Sequence, residues 1–234
     1  MGPLATAYFY EALVRLTPAS QDGDHIKTII WSDPAVPDRT AYLTGSGISP
    51  LPRMLGGVHA LSSLKVDVMA MPCNTAHAFL GELRGSTQAL FVDMVSETVQ
   101  ATIRAYPECA TIGVLGTRGT RAAGLYDAAA IGASLTVAYP SEADQTRLVD
   151  EAIRIVKAGG DLDLADRLLA AAAQNLKSSE VDVAIAACTE LPLVMSRARS
   201  ILPVMDSIEC LAAACVREIR WVGRRVASGP SVED

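Results

Sequence analysis

Two cysteines in matching settings carry most of the chemistry this chain offers. Cys73 lies near the end of the segment VDVMAMPCNT and Cys188 near the end of VDVAIAACTE. Each segment is an apolar run of the kind that forms a buried strand, and each is followed at once by a helix-type pattern. The repeat puts one thiol per half-chain at the carboxyl end of a strand, where open α/β sheets place their ligands. A thiol there also faces the amino end of the next helix, whose dipole and free N–H groups are expected to favour thiolate over thiol. One thiol from each half points to acid/base chemistry on opposite faces of a small substrate.

The strands that must carry these residues are expected at 26–32, 66–71, 111–115, 135–139, 181–187 and 201–205. Helical patterns cover 5–16, 54–64, 76–83, 94–105, 121–130, 142–157, 162–177 and 208–226. Strands alternating with amphipathic helices predict an α/β fold of mostly parallel sheets built from βαβ units. The duplication predicts two pseudo-symmetric lobes with the active-site cleft between them. Tyr106-Pro107 breaks the chain before a fresh strand. The last long helix has no strand after it, so it is expected to pack back onto the first lobe from about Asp206. The lobes are therefore drawn as 1–105 plus 206–234, and 106–205.

Half of the 234 residues are hydrophobic, enough for two cores, and the net charge is −6 with no basic block. The densest cationic stretch, 217–225, reads as the solvated face of a helix, so no nucleic-acid partner is expected. Five cysteines without CxxC pairs, no secretory leader and no bilayer-length apolar run lead to a cytoplasmic setting and no membrane partner. Cys210 and Cys215 lie in an apolar helical run and Cys109 at a turn, which fits inert thiols.

Two loops follow strands at the ligand end. The segment SDPAVPDRT, 32–40, is stiffened by two prolines and presents Arg39, the loop cation nearest that end in the first lobe. Arg39 is read as selecting a dicarboxylic substrate, against an ion pair with Asp38 or Asp33. LGTRGT, 115–120, lacks the dinucleotide glycine spacing, and its N–H groups and hydroxyls suit an amino-acid carboxylate. His77, four residues beyond Cys73, is read as bracing the turn rather than as a base for the thiol. His25 and His59 are read as strand-edge and helix-face residues, and no metal site is expected.

Five pieces, MGPLAT at 1–6, SDPAVPDRT, MPCNTAH at 71–77, LGTRGT and ACTELPLV at 187–194, run in order over nearly the whole chain. In them the chain resembles the aspartate racemase branch of the cofactor-independent aspartate/glutamate racemase family. The resemblance implies racemisation by Cys73 and Cys188 as paired acid and base, without pyridoxal phosphate or metal. It implies that Asn74, Thr75, Thr117 and Thr189 hold the α-carboxylate and amino group. Arg39 would bind the side-chain carboxylate, helped by Lys157, whose alternative reading is a solvated helix end. Met1 and Gly2 would line the pocket wall, and Glu190 would polarise neighbouring groups. A homodimer acting on a small amino acid is implied as well.

Similar proteins carry a short apolar strand and a Gly-Gly pair before the Met-Gly-Pro. Here Met is residue 1, so the first lobe is expected to lack that strand and to have a gap in its sheet. Three alternatives share the same residues. They are glutamate or broad-specificity racemisation, maleate cis–trans isomerisation with one cysteine adding to the substrate, and an inactive amino-acid-binding relative.

Overall fold

A computed structural model describes the backbone of residues 2–227 and the side chains through residue 221. Met1 and residues 228–234, included in the expected site and first lobe, lie outside the described residues. Among those described, all strand pairing is parallel. One sheet pairs β1 (Val68–Met69) with β2 (Leu90–Phe91). The other holds β3 (Thr111–Gly116), β4 (Thr136–Ala138), β5 (Val183–Ala187) and β6 (Val204–Asp206) in the order β4-β3-β5-β6. This is the expected α/β class of parallel sheets flanked by helices.

Strand β5 is buried at every position, because helices cover both faces of the sheet and leave no side for a polar residue. On one face the helix Leu162–Ser178 lays Ala165, Leu169, Ala172, Ala173 and Leu176 against Ala184 and Ala186. Asp161 caps that helix by accepting from the Leu164 N–H at 3.0 Å. On the other face the helix Met94–Ala105 sets Val95 and Val99 with Ile112, Val114 and Ile185. The final helix Ser207–Ala227 joins Ile208, Leu211 and Cys215 to Ala12 and Leu13 of the helix Pro3–Leu16.

The expected strand at 26–32 does not form. Among the described residues no backbone–backbone hydrogen bond reaches residues 26–31, and Ile29, Ile30 and Trp31 are exposed. The cause is the want of a neighbouring edge. In a parallel ladder alternate residues bond to alternate sides. Leu90 N–H donates to the Asp67 carbonyl and Val92 N–H to that of Met69, so Asp67 and Met69 face β2. Val68 and Ala70 then face away from β2, and both line a largely apolar cavity of about 870 Å³ that Ile26, Thr28 and Ile30 line too. Strand β2, only two residues long, carries too little pattern for sequence reading.

Helices differ in detail. Gly124, at φ 60°, splits the expected helix at 121–130 into Arg118–Ala122 and Leu125–Ile131. The run 142–157 contains a wider π turn over Gln145–Asp150, and 76–83 opens as the 3₁₀ helix Thr75–Phe79. No helix among the described residues is long and apolar enough to cross a membrane.

Ile185 lies at the centre of this sheet, wholly buried. Ile185→Ala is expected to lower unfolding free energy by about 2–5 kcal/mol, read from the denaturant midpoint. A loss under about 1 kcal/mol would contradict the packing described.

Candidate functional site

Carboxyl ends of parallel strands gather on one edge of a sheet, so residues just beyond them are brought together. Thr117 follows β3 directly, Cys188 follows β5, and Cys73 lies four residues past β1. These ends border one small cavity. The first half of the chain contributes Gly2, Arg39, Cys73, Asn74 and Thr75 to its wall, and the second half Thr117, Lys157, Cys188, Thr189 and Glu190. Every described residue singled out for the site therefore lines the same space. Asp38, Thr40 and Pro72 line it too, although sequence reading passed over them; their signal was adjacency to Arg39 and Cys73.

Close approach between the halves depends on Gly119. A Cβ there would sit 2.7 Å from Thr75 Cγ2 and 2.8 Å from Thr40 Cα, so any side chain would wedge the two halves apart. Beside it three hydroxyls meet: Thr75 Oγ1 lies 2.8 Å from Thr117 Oγ1 and 2.9 Å from Thr120 Oγ1. The Thr117 hydroxyl also accepts from the Thr120 N–H at 3.2 Å.

Asn74 is held by residues that sequence reading missed. Ser207 donates its hydroxyl hydrogen to the Ala186 carbonyl at 2.7 Å, so it must accept from Asn74 Nδ2 at 2.9 Å. That orientation turns Asn74 Oδ1 to the Tyr126 hydroxyl, which donates at 2.6 Å. One N–H of the Asn74 amide is left for a ligand. A lone tyrosine in a helical pattern gives no local signal of such a partner.

Electrostatics depart from expectation at Cys188. Burial pushes this thiol well above its ordinary range, and the Glu190 charge raises it further against the opposing effect of Lys157. The segment after Cys188 is only the 3₁₀ helix Leu191–Val194, too short a dipole to offset burial. Cys188 Sγ donates to Glu190 Oε2 at 3.1 Å, and the Thr189 hydroxyl donates to the same oxygen at 3.2 Å. For Lys157, desolvation pulls the ammonium pKa down, yet the charges of Cys188, Glu190 and Cys73 outweigh it and leave the value raised. Cys210 and Cys215 are buried on the last helix and pushed up to about 12 by that burial, as inert thiols would be.

Arg39 forms no ion pair among the described residues. Arg53 takes Asp33 at 2.6 Å, and Asp38 caps its helix by accepting from the Ala41 N–H at 2.8 Å. Arg39 Nη1 donates to the Val36 and Pro37 carbonyls, while its Nε is buried without a partner. An unsatisfied buried cationic donor is costly, and a carboxylate would relieve it. The cavity itself measures about 20 Å³, room for roughly one water, so its walls must part to admit an amino acid. No group of three or more His, Cys, Asp or Glu side chains among the described residues is arranged to hold a metal.

Comparison with known proteins adds four findings. Residues 1–215 match the family model described as Asp/Glu/Hydantoin racemase. The chain is 30% identical over 224 residues to the broad specificity amino-acid racemase RacX of Bacillus subtilis, spanning 92% of this chain and 93% of that one. Among solved structures, the Picrophilus torridus aspartate racemase superposes with a TM-score of 0.81 at 29% identity, covering 93% of this chain and 90% of that one. An aspartate racemase homologue from Pyrococcus horikoshii shares the fold with a TM-score of 0.72 at 18% identity, over 93% and 94% of the two chains.

His77 braces the turn. Met94 N–H donates to its Nε2 at 3.0 Å, which leaves Nδ1 protonated to donate to the Cys73 carbonyl at 2.9 Å. His25 and His59 are exposed, the first following a short 3₁₀ turn and the second on the helix Leu51–Ser63. Burial lowers the His77 pKa below its ordinary value. The unfolded chain takes up this proton near pH ~6.5 and the folded one only at lower pH. The His77 contribution to stability is therefore complete above that unfolded value and lost as pH falls through the lowered folded one. Unfolding free energies measured between about pH 7 and about pH 5 should fall more steeply for the parent than for His77→Gln. Equal slopes would contradict the neutral brace.

Proposed function

Because the chain belongs to the Asp/Glu/Hydantoin racemase family, we propose that it interconverts the L and D forms of an acidic amino acid, aspartate foremost, with Cys73 and Cys188 as paired acid and base and no cofactor. The observation that carries this reading is that both thiols border one cavity with two cations, Arg39 and Lys157. The names of the relatives, an aspartate racemase and a broad specificity amino-acid racemase, agree with that substrate class.

Racemisation removes the α-proton from one face and delivers another to the opposite face. Burial and the Glu190 charge favour the protonated thiol at Cys188, which makes it the donor. The complementary role, accepting the α-proton as thiolate, falls to Cys73. After one turnover Cys73 carries the proton and Cys188 the charge, and the reverse reaction restores the start. Charge that develops on the α-carbon and its carboxylate is met by fixed donors, the free Asn74 N–H and the hydroxyls of Thr75, Thr117 and Thr189, in a cavity with little room for water. Arg39 Nε and Lys157 receive the side-chain carboxylate, and Gly2 forms part of the wall.

The same reading divides the lobes at 1–105 plus 206–234 and 106–205, supported by the final helix packing on Pro3–Leu16. It also takes the protein as a cytoplasmic homodimer.

The test is proton NMR of L-aspartate in heavy water, where exchange of the α-proton accompanies appearance of the D form. Cys73→Ser and Cys188→Ser should each slow both by at least about 100-fold. Near-normal rates in either variant would rule out the two-thiol scheme. Arg39→Leu should cost about 2–5 kcal/mol in kcat/KM for aspartate and much less for alanine. Equal losses on the two substrates would dismiss Arg39 as selector.

A further inference from the structure

The cavity has a charge pattern that the thiols and the two cations do not explain. Glu190 is a buried carboxylate placed among groups that would serve anionic substrate atoms. The other acidic residue on the wall, Asp38, is exposed and used as a helix cap. One oxygen of Glu190 is accounted for, since Oε2 accepts from both Cys188 and Thr189. The other, Oε1, accepts no hydrogen bond from the described residues and lies where a Cβ on Gly2 would come within 2.7 Å of it. A carboxylate oxygen on the wall with no donor of its own is open to a cation, and pairing with one would offset the cost of burying the charge.

An acidic amino acid carries two carboxylates and one ammonium group. Arg39 and Lys157 answer the side-chain carboxylate, and the Asn74 amide with the threonine hydroxyls answers the α-carboxylate. We propose that Glu190, through Oε1, binds the α-ammonium group of the substrate, and that this contact makes the site select dicarboxylic amino acids over dicarboxylates without an amine. The assignment rests on the acidic amino-acid reading above. It also serves the chemistry: an ammonium group kept protonated by an adjacent carboxylate withdraws electron density from the α-carbon and makes its hydrogen more acidic. Gly2 is then the residue whose lack of a side chain leaves Oε1 in place.

Rates cannot isolate this contact, because Glu190 also touches Cys188. Equilibrium binding can. Calorimetric titration of the full chain in a Cys73→Ser background, with L-aspartate and with succinate, compares ligands that differ only in the amine. Glu190→Gln should weaken aspartate by at least about tenfold while succinate binds as well as before or more tightly. Gly2→Ala keeps the charge, and its backbone, at φ −60° and ψ 123°, accepts alanine without strain. It should shift the aspartate-to-succinate ratio the same way by displacing Oε1, and it carries the test if Glu190→Gln does not fold. An unchanged ratio in the folded variants overturns the assignment, as does failure of the parent to bind aspartate. If the parent binds aspartate and Glu190→Gln loses that preference while the wild-type chain forms no D-aspartate, racemisation fails and the ammonium contact stands. Racemisation with an unchanged ratio sinks the contact alone.

Discussion

Parallel pairing is the constraint from which the site follows. Because β3 and β5 run the same way, with Gly116 opposite Ala187, the residues after them emerge on one edge at one level. Thr117 and the Cys188–Glu190 segment are neighbours for that reason, though residues 118–187 separate them in the chain. The first lobe meets this edge through the loop after β1. The meeting is tight only because Gly119 has no side chain to strike Thr75 and Thr40. The chemistry of the cavity thus depends on backbone direction and one missing Cβ before it depends on any charge.

Dryness sets the electrostatics. In water a carboxylate, a thiol and two cations at this spacing would interact weakly; in a cavity that holds about one water they do not. Cys188 is driven toward its thiol by burial first and by Glu190 second, while Lys157 stays charged because its anionic neighbours outweigh its desolvation. The turn that follows Cys188, Leu191–Val194, is too brief to act as a strong dipole. Local burial and paired charges, rather than helix ends, are what distinguish the groups here.

A second shell of buried polar contacts keeps the wall in register. His77 ties the Cys73 carbonyl to the start of the helix Met94–Ala105, and Asn74 is pinned between Tyr126 and Ser207 from the other half of the chain. Each of these groups is buried, so each unmade bond would be costly, and the arrangement resists reorientation of the loop that carries Cys73.

Much of this was legible in order of residues alone. The helix Met94–Ala105 was bounded as found, because Asp93 caps its start and Tyr106-Pro107 ends it, both local effects. The apolar runs of β3 and β5 and the motifs holding Cys73, Cys188, Arg39 and Thr117 were equally plain, since strand character and turn chemistry are written within a few neighbours. Residues 26–31 had the same strand character and did not become one, because a strand exists only beside a partner edge. Tyr126, Ser207 and the fit at Gly119 were invisible for a related reason: each acts on a residue tens of positions away. Sequence determined which residues could do chemistry and which element would carry each. Tertiary structure decided which of them share a water-poor space, and with that the protonation of Cys188 and the open oxygen of Glu190, because burial and charge are properties of neighbours in space rather than in the chain.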